Sequence, residues 1–486
     1  MTKATVIGGG FGGIAAALRL RAKGYDVTLL DRCKRLGGRA QVFEDNGFKY
    51  DAGPTVLTAP FLFDELFELF GKKRENYIRF HELDTWYRFY FHDGTQLDYG
   101  GTTQDTMEQI SRLNPPDADG YQRLLAHSKR IFDVGFTKLA DQPFHSFGTL
   151  FAQVPNLIRL GCYRTVWQLV CKYLTDDRVR RAFSIHPLLV GGNPFETTCI
   201  YSLIHYLERK WKIHFAMGGT GALVDALTQL MSETGIQVIN EATVTRIRTE
   251  GRRAKALYLE DGSSLSTDCV VSNIDPLHLY NNLIDQDSLH GMFRLKRRRM
   301  RQSMGLYVLF FGTDRNYGAL AHHTIWLGER YRDLIQEIFH GNSLPDDFSL
   351  YIHRPTATDP SFAPPGCDSF YVLAPVPNLR ASIDWSNEGP RLRDRIIESL
   401  EKTIMPDLRQ HIRSPFYMTP EDFSERYLSA FGSGFSVAPV FSQSAWFRFH
   451  NRSESLDNLY LVGAGTHPGA GVPGVLSSAK VMDRFV

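Results

Sequence analysis

The stretch Val6-Ile7-Gly8-Gly9-Gly10-Phe11-Gly12-Gly13 decides the fold of this chain. It predicts a short apolar strand, a glycine turn and a helix that runs on to Lys23. Gly8 permits the tight turn, Gly10 lets the backbone approach a pyrophosphate, and Gly13 lets the helix pack closely on the strand. A pyrophosphate at this turn would lie at the positive end of the helix dipole.

A second apolar strand, Asp26–Leu30, ends in Asp31. The acid thus stands about 20 residues after the glycines, where dinucleotide-binding βαβ units place an acceptor for a ribose hydroxyl. A glycine-rich loop in an ordinary βα unit gives no reason for an acid at this place. The complete strand–turn–helix–strand–acid unit therefore predicts dinucleotide binding.

The residues that follow favour a flavin over a nicotinamide. Two glycines precede an arginine in Gly37-Gly38-Arg39, and the turn Asp51-Ala52-Gly53-Pro54 comes soon after. These turns resemble those of the flavin amine oxidase superfamily. There the Gly-Gly-Arg turn lies along the diphosphate and ribityl chain of FAD, and the Gly-Pro turn lies beside the flavin ring. The resemblance implies an FAD cofactor held by Arg39, Gly53 and Pro54.

Composition bounds the class of protein. A chain of 486 residues is too long for one hydrophobic core, and its net charge of +2 gives no field that would attract nucleic acid. The 6 cysteines show no CxxC pairing and the 16 histidines no HxxxH spacing, so we expect no metal site. Without a signal peptide or a long apolar run, we expect a cytoplasmic protein, peripheral to the cell membrane, that does not span it.

The pattern along the chain predicts an α/β protein with a Rossmann-like FAD-binding domain that is split in sequence. The predicted segments are 1–75, 213–290 and 430–486 for the FAD-binding domain, 76–146 and 291–429 for an inserted α+β substrate domain, and 147–212 for a helical, membrane-associated subdomain. The return to the first domain brings a strand that contains Val244. In the resembled superfamily, the backbone of this strand contacts the adenine end of FAD.

Two segments have patterns with two interpretations each. Apolar residues recur at helical spacing over residues 151–174, with basic residues among them. Such helices either cover a core or lie on anionic lipid. The basic run Arg294–Arg301 is interleaved with apolar residues, and it is either a solvated helix face or a phospholipid-facing patch. We expect the protein to bind membrane-surface lipids. For each of the two segments, both interpretations stay open.

A second glycine turn, Gly463-Ala464-Gly465-Thr466-His467-Pro468-Gly469-Ala470-Gly471-Val472, follows a strand and opens the last helix. Its backbone N–H groups can face an anionic partner. This motif resembles that of the bacterial carotenoid desaturases, and the resemblance covers essentially the whole chain. In that family, Gly463, Gly465, Gly471 and Val472 lie near the ribityl chain and the flavin ring.

The resemblance implies an FAD-dependent oxidoreductase that converts phytoene to lycopene by successive dehydrogenations. Oxidised flavin would accept an allylic hydride, and a quinone or oxygen would reoxidise it. The protein must hold the hydrocarbon, exclude water and place a proton acceptor. His467 is the candidate that the motif places near the ring, and it either takes the proton or only orders the turn.

Three alternatives stay open at the level of sequence. The chain could desaturate another carotene or an apocarotene, or it could be a carotenoid isomerase that uses reduced flavin without net oxidation. It could also be a non-enzymatic prenyl-binding protein on the same scaffold. The intact glycine turns, Asp31 and Arg39 argue against the last of these. A flavin spectrum in the purified protein would exclude the non-enzymatic alternative. Product analysis would distinguish the other two alternatives from a phytoene desaturase.

Overall fold

The opening strand lies at the centre of a five-stranded parallel sheet in the computed structural model. The structure describes residues 1–137, 142–143, 155–285, 289 and 291–486, without the side chains of residues 291, 292, 294 and 295. In spatial order the strands of the parallel sheet are Leu459–Leu461, Cys269–Ser272, Lys3–Ile7, Asp26–Leu30 and Gln237–Ile239. They come from three separated parts of the chain. Their nearly continuous apolar sequence suits a sheet that is covered on both faces.

Helices cover one face of the parallel sheet. They are Phe11–Ala22, Gly219–Glu233 and Val472–Asp483. Val6 packs toward these helices, whereas the next residue, Ile7, packs toward the other face. The first helix begins at Phe11, because Gly10 has extended dihedral angles and serves as its N-cap. Gly12 and Gly13 are thus already helical.

A small antiparallel sheet covers the other face. Its strands are Val244–Glu250, Arg253–Leu259 and Ser264–Ser266. Apolar residues of this small sheet, such as Ile247 and Leu257, share a core with Ile7 and Leu30. The result is a layered α/β unit in which the ends of the first two strands open toward the same edge.

A second, seven-stranded sheet forms the other half of the molecule. In spatial order its strands are Ile412–Met418, Gly305–Thr313, Asp368–Val376, Leu350–His353, His323–Leu327, Thr85–Phe91 and Gln96–Gly100. Neighbours are antiparallel except His323–Leu327 and Thr85–Phe91, which are parallel. The predicted mixed α/β class is confirmed, while the domain boundaries stay a prediction. The long helix Trp385–Thr403 packs on one face of this sheet.

The region between residues 103 and 212 is mainly helical where it is described. Its helices are Thr103–Leu113, Pro115–Gly135, Val166–Tyr173, Asp177–Ser184 and Leu203–Trp211. Val166, Leu169 and Val170 are fully buried, so the apolar stripe predicted there covers a core. Ile158 and Tyr163, by contrast, are 62% and 69% exposed. The part of the predicted lipid-facing segment at 147–154 lies outside the described residues.

The structure contains further helices and two short strand pairs. The helices are Phe61–Glu68, Pro276–His278, a π-helical turn at Leu279–Leu283, Gly291–Arg299, Tyr331–His340, Leu408–His411 and Pro420–Tyr427. Two strand pairs are Val42–Asp45 with Phe48–Asp51, and Phe80–Glu82 with His214–Ala216. Across the described residues, helices long and apolar enough to cross a bilayer are absent.

The basic run at the Gly291–Arg299 helix is partly used inside the protein. Lys296 donates hydrogen bonds to Arg448 O and Glu454 Oε1, and burial lowers the pKa of its ammonium group. Phe293 and Met300 are buried in the core instead of facing lipid. Of the basic side chains that the structure describes here, those at 298, 299 and 301 are exposed. This arrangement favours the solvated helix face.

Candidate active site

Two glycine turns pack against each other at the edge of the parallel sheet. The backbone N–H of Gly37 donates to Gly9 O at 2.8 Å, so the second turn is tied to the first. Gly37 has a φ of +116°, a conformation that favours glycine. A Cβ on Gly13 would lie 1.9 Å from Gly8 O. The helix can therefore approach the strand this closely only without a side chain at that position.

Asp31 ties the first turn to the end of the second strand. Its carboxylate accepts the backbone N–H of Gly9 at 2.7 Å and that of Cys33 at 2.8 Å. Burial raises the pKa of this carboxyl, and the two backbone donors act in the opposite direction. The carboxylate also borders a large cavity, where further lone pairs can accept hydroxyl donors.

Arg39 is held at the wall of the same cavity. Its Nη2 donates to Ser429 Oγ at 2.8 Å, and burial lowers the pKa of the guanidinium. Its Nε is buried without a hydrogen-bond partner among the described residues. A Cβ on Gly53 would lie 2.4 Å from Arg39 O, so the Gly53–Pro54 turn packs directly on the arginine turn. A buried arginine with an unused donor is suited to an anionic or polar ligand.

The closing glycine turn faces these groups across the cavity. Gly463 N donates to Ser478 Oγ at 2.8 Å, which anchors the turn to the last helix. Behind it, the buried Arg448 donates from Nη2 to Ala464 O at 2.7 Å. Sequence reasoning missed Arg448, because no short motif marks an arginine that supports a turn from the inside.

One continuous cavity unites nearly all the predicted site residues. Its lining includes Gly8, Gly10, Asp31, Arg39, Gly53, Pro54, Val244, Gly463, Gly465, Gly471 and Val472. Gly13 lies behind the turn, inside the helix. His467 is buried and is absent from the described lining residues. The catalytic role of His467 stays a prediction.

The seven-stranded sheet supplies the other half of the cavity. The lining side chains from this sheet are mostly apolar: Leu306, Ile325, Leu327, Leu350, Tyr351, Tyr371, Leu373 and Pro375. Leu188 and Leu189, from the helical region, also line it. The cavity therefore runs from a polar, glycine-lined end to an apolar end.

A buried polar cluster stands behind the apolar wall. Ring nitrogens of His322, His323 and His353 lie within 4.8 Å of one another. His353 Nε2 is 3.1 Å from His322 Nε2, and His323 Nδ1 is 2.8 Å from the Tyr351 hydroxyl. Hydrogen bonds account for these two contacts, while His323 Nε2 and His353 Nδ1 have no hydrogen-bond partner among the described residues. The sequence shows no HxxxH spacing at the cluster, because adjacent strands bring its members together.

Comparison with known proteins assigns the family. A family model described as flavin containing amine oxidoreductase matches residues 11–481. This chain belongs to that family. It is 47% identical over 481 residues to the phytoene desaturase (lycopene-forming) of Pseudescherichia vulneris, covering 99% of this chain and 98% of that relative. The phytoene desaturase (lycopene-forming) of Pantoea ananas matches with the same identity and coverage.

The fold of this flavin oxidoreductase also matches a solved structure of putrescine oxidase bound to putrescine. The TM-score is 0.65 at 12% identity, covering 99% of this chain and 97% of that chain. A likeness at this identity concerns the fold alone. The family and the fold together confirm the predicted class, an FAD-dependent oxidoreductase.

The residues at the polar end fit FAD. The glycine turns expose backbone N–H groups at a helix N-terminus, Asp31 offers a carboxylate, and Arg39 has an unused buried Nε. These are the groups that a pyrophosphate and a ribose require. When bound, the flavin supplies a hydride acceptor. The protein's own part is to orient the substrate, exclude water and move a proton.

Proposed function

We propose that this oxidoreductase is a carotenoid desaturase that converts phytoene to lycopene by successive dehydrogenations. The observation that carries the proposal is the single cavity that joins the polar turns to an apolar wall. A hydrocarbon substrate offers no polar group for recognition, so shape and apolar contact must hold it. Relatives at 47% identity over nearly the whole chain are named phytoene desaturases (lycopene-forming), which supports the same substrate here.

We assign the cofactor contacts residue by residue. Gly8, Gly10 and Gly13 shape the diphosphate turn, Asp31 accepts a ribose hydroxyl, and the strand of Val244 borders the adenine end. Arg39 with the Gly53–Pro54 turn, and the closing turn from Gly463 to Val472, border the ribityl chain and ring. Eleven of these positions converge on the cavity, which supports the assignment.

The protein works on the membrane surface in this proposal. Its hydrocarbon substrate dissolves in lipid, and Ile158 and Tyr163 are strongly exposed next to Arg159 and Arg164. Exposed apolar side chains beside basic ones suit the interface of an anionic bilayer. A quinone or oxygen would serve as the final electron acceptor.

Product analysis tests the proposed reaction. Purified holoprotein is mixed with phytoene in liposomes and a quinone, and the carotenoids are separated by chromatography. We expect lycopene, with intermediates of increasing conjugation at early times. Isomerised phytoene without a new double bond would assign the chain to the isomerases instead. Turnover of only a later carotene would keep the reaction class and change the substrate.

A further inference from the structure

The hydroxyl of Tyr351 lies where the polar and the apolar halves of the cavity meet. It is 2.5 Å from Thr55 Oγ1 and 2.8 Å from His323 Nδ1. Thr55 directly follows the Gly53–Pro54 turn, which the proposed function places beside the flavin ring. Tyr351 itself lines the cavity from the strand Leu350–His353. Its hydroxyl thus connects the cavity to a histidine in the protein interior.

His323 is fully buried on the neighbouring strand, where it pairs with His353. Burial lowers the pKa of its imidazole to about 3, so the ring is neutral at neutral pH. Its Nε2 has no hydrogen-bond partner among the described residues. With the ring proton on Nε2, Nδ1 accepts the hydroxyl proton of Tyr351 and is free to take it.

The other titratable groups in the described lining of the cavity either hydrogen-bond to other partners or have no imidazole as a hydrogen-bond partner. The seven-stranded sheet contributes two to the described lining, Tyr351 and Tyr371. The carboxylate of Asp31 is bound by two backbone N–H groups at the polar end. Asp275 accepts from Leu277 N at 2.9 Å and from Ser436 Oγ at 2.7 Å. Of the hydrogen bonds that these groups make with described residues, that of Tyr351 leads to an imidazole.

We propose that Tyr351, backed by His323, accepts the proton in each desaturation step. The inference rests on the proposed function. When bound, oxidised flavin would supply the acceptor for a hydride, with its electron pair, from the carbon beside the polyene, which would leave an allylic cation on the substrate. The C–H bond of the adjacent carbon then breaks, and its electron pair forms the new double bond. The proton moves to Tyr351 Oη while the phenol proton moves to His323 Nδ1.

The step ends with a neutral phenol and an imidazolium, so charge and atoms balance. The C–H bond next to an allylic cation is a far stronger acid than an imidazolium. A weak base therefore suffices to take its proton. The lowered pKa of His323 has two uses. It keeps the base unprotonated before the reaction, and it favours rapid release of the proton afterwards.

Two variants test the pair, with a matched control. Tyr351→Phe removes the hydroxyl, and His323→Asn keeps an amide where Nδ1 stood but cannot take up a proton. Tyr307→Phe is the control, because its buried hydroxyl donates to Gly389 O at 2.8 Å and is absent from the cavity lining. We expect kcat for phytoene to fall at least about 100-fold in both variants, as for loss of a general base, with KM and flavin content unchanged. The control keeps wild-type kcat.

Nuclear magnetic resonance of 15N-histidine-labelled protein gives a readout that is independent of turnover. His323 is assigned by the signals missing in His323→Asn, and its Nδ1 signal should shift in Tyr351→Phe but not in Tyr307→Phe. A kcat within about twofold of wild type in Tyr351→Phe overturns the inference, as does an unmoved Nδ1 signal. If Tyr351→Phe loses its flavin, an unchanged kcat in His323→Asn overturns it equally.

Failure of the proposed function has a different signature. In that case the wild-type protein and the Tyr307→Phe control both leave phytoene unchanged, and the inference falls with the function. When wild type desaturates phytoene and only the two variants are slow, both proposals are supported.

Discussion

Asp31 Oδ2 accepts the backbone N–H of Gly9 at 2.7 Å, so the predicted ribose acceptor also fastens the glycine turn that precedes it by 22 residues. The carboxylate is buried and its second oxygen holds the N–H of Cys33. One side chain thus shapes the turn and remains at the cavity wall for a ligand hydroxyl. This dual use makes Asp31 a sensitive point for cofactor binding.

Replacing Asp31 with Ala should weaken FAD binding by about 10- to 150-fold, because a hydrogen bond to a charged group contributes about 1.5–3 kcal/mol. Asp31→Asn isolates the charge, since the amide oxygen still accepts one N–H. Titration of the flavin-free protein with FAD measures the loss. Asp26→Ala, at the exposed start of the same strand, is the control. An FAD affinity equal to wild type in Asp31→Ala would show that another residue holds the ribose.

Replacing Gly10 with Val should yield colourless protein. The added side chain would begin 2.8 Å from Asn273 Nδ2 and extend where the diphosphate must approach the backbone. Visible flavin absorbance per purified chain is the measurement. Gly318→Val is the control, because a Cβ there meets no atom within 4 Å. Normal flavin content in Gly10→Val would mean that the diphosphate lies elsewhere.

The stability of the protein should depend on pH through His323. Its pKa is about 3 when folded and about 6.5 when unfolded, so below pH 6.5 the unfolded chain binds a proton that the folded chain does not. Acidification therefore lowers the free energy of unfolding, by about 1.4 kcal/mol per pH unit and about 2 kcal/mol between pH 7 and pH 5.

Urea unfolding of wild type and His323→Asn at both pH values measures this contribution. The neighbouring His322 and His353 also have lowered pKa values, while Tyr351 and Tyr87 have raised ones and stay neutral. These groups remain in both proteins, so their effects largely cancel in the comparison. The variant should lose about 2 kcal/mol less than wild type on acidification. An identical loss of unfolding free energy in the two proteins would mean that a group other than His323 takes up the proton.

Membrane-surface binding predicts co-sedimentation with anionic liposomes that salt weakens. The double variant Ile158→Ser and Tyr163→Ser should bind less, because it removes the exposed apolar side chains beside Arg159 and Arg164. Phe441→Ser is the matched control, since Phe441 is 56% exposed in a different part of the chain. Equal recovery of wild type in the supernatant with and without liposomes would argue against the membrane assignment.

Local signals made the polar half of the site predictable. The turn, the helix and the acid follow one another within a short stretch of chain. The residue type at each position indicates the backbone conformation or contact that is required there. Gly13 is an example, because the helix cannot approach Gly8 O with a side chain in that place. The same holds for the closing turn, whose glycines stand together.

The apolar half was hidden because strand register, not spacing, brings it together. Tyr351 pairs with Ile325, and His323 pairs with His353, across strands that are about 30 residues apart in sequence. No local pattern distinguishes His323, in the core, from His467 in the closing turn. The closing motif drew attention to His467, whereas the proposed role of Tyr351 and His323 rests on contacts between strands that the sequence does not display.

Anaerobic reduction of the bound flavin by phytoene is the most direct test of the proposed reaction. Holoprotein is mixed with phytoene liposomes in the absence of oxygen, quinone and nicotinamide, and the flavin spectrum is followed together with the carotenoid products. We predict bleaching of the flavin, with one new double bond for each flavin reduced and recovery of the oxidised spectrum when a quinone is added. Flavin that stays oxidised in the presence of bound phytoene would contradict the proposal.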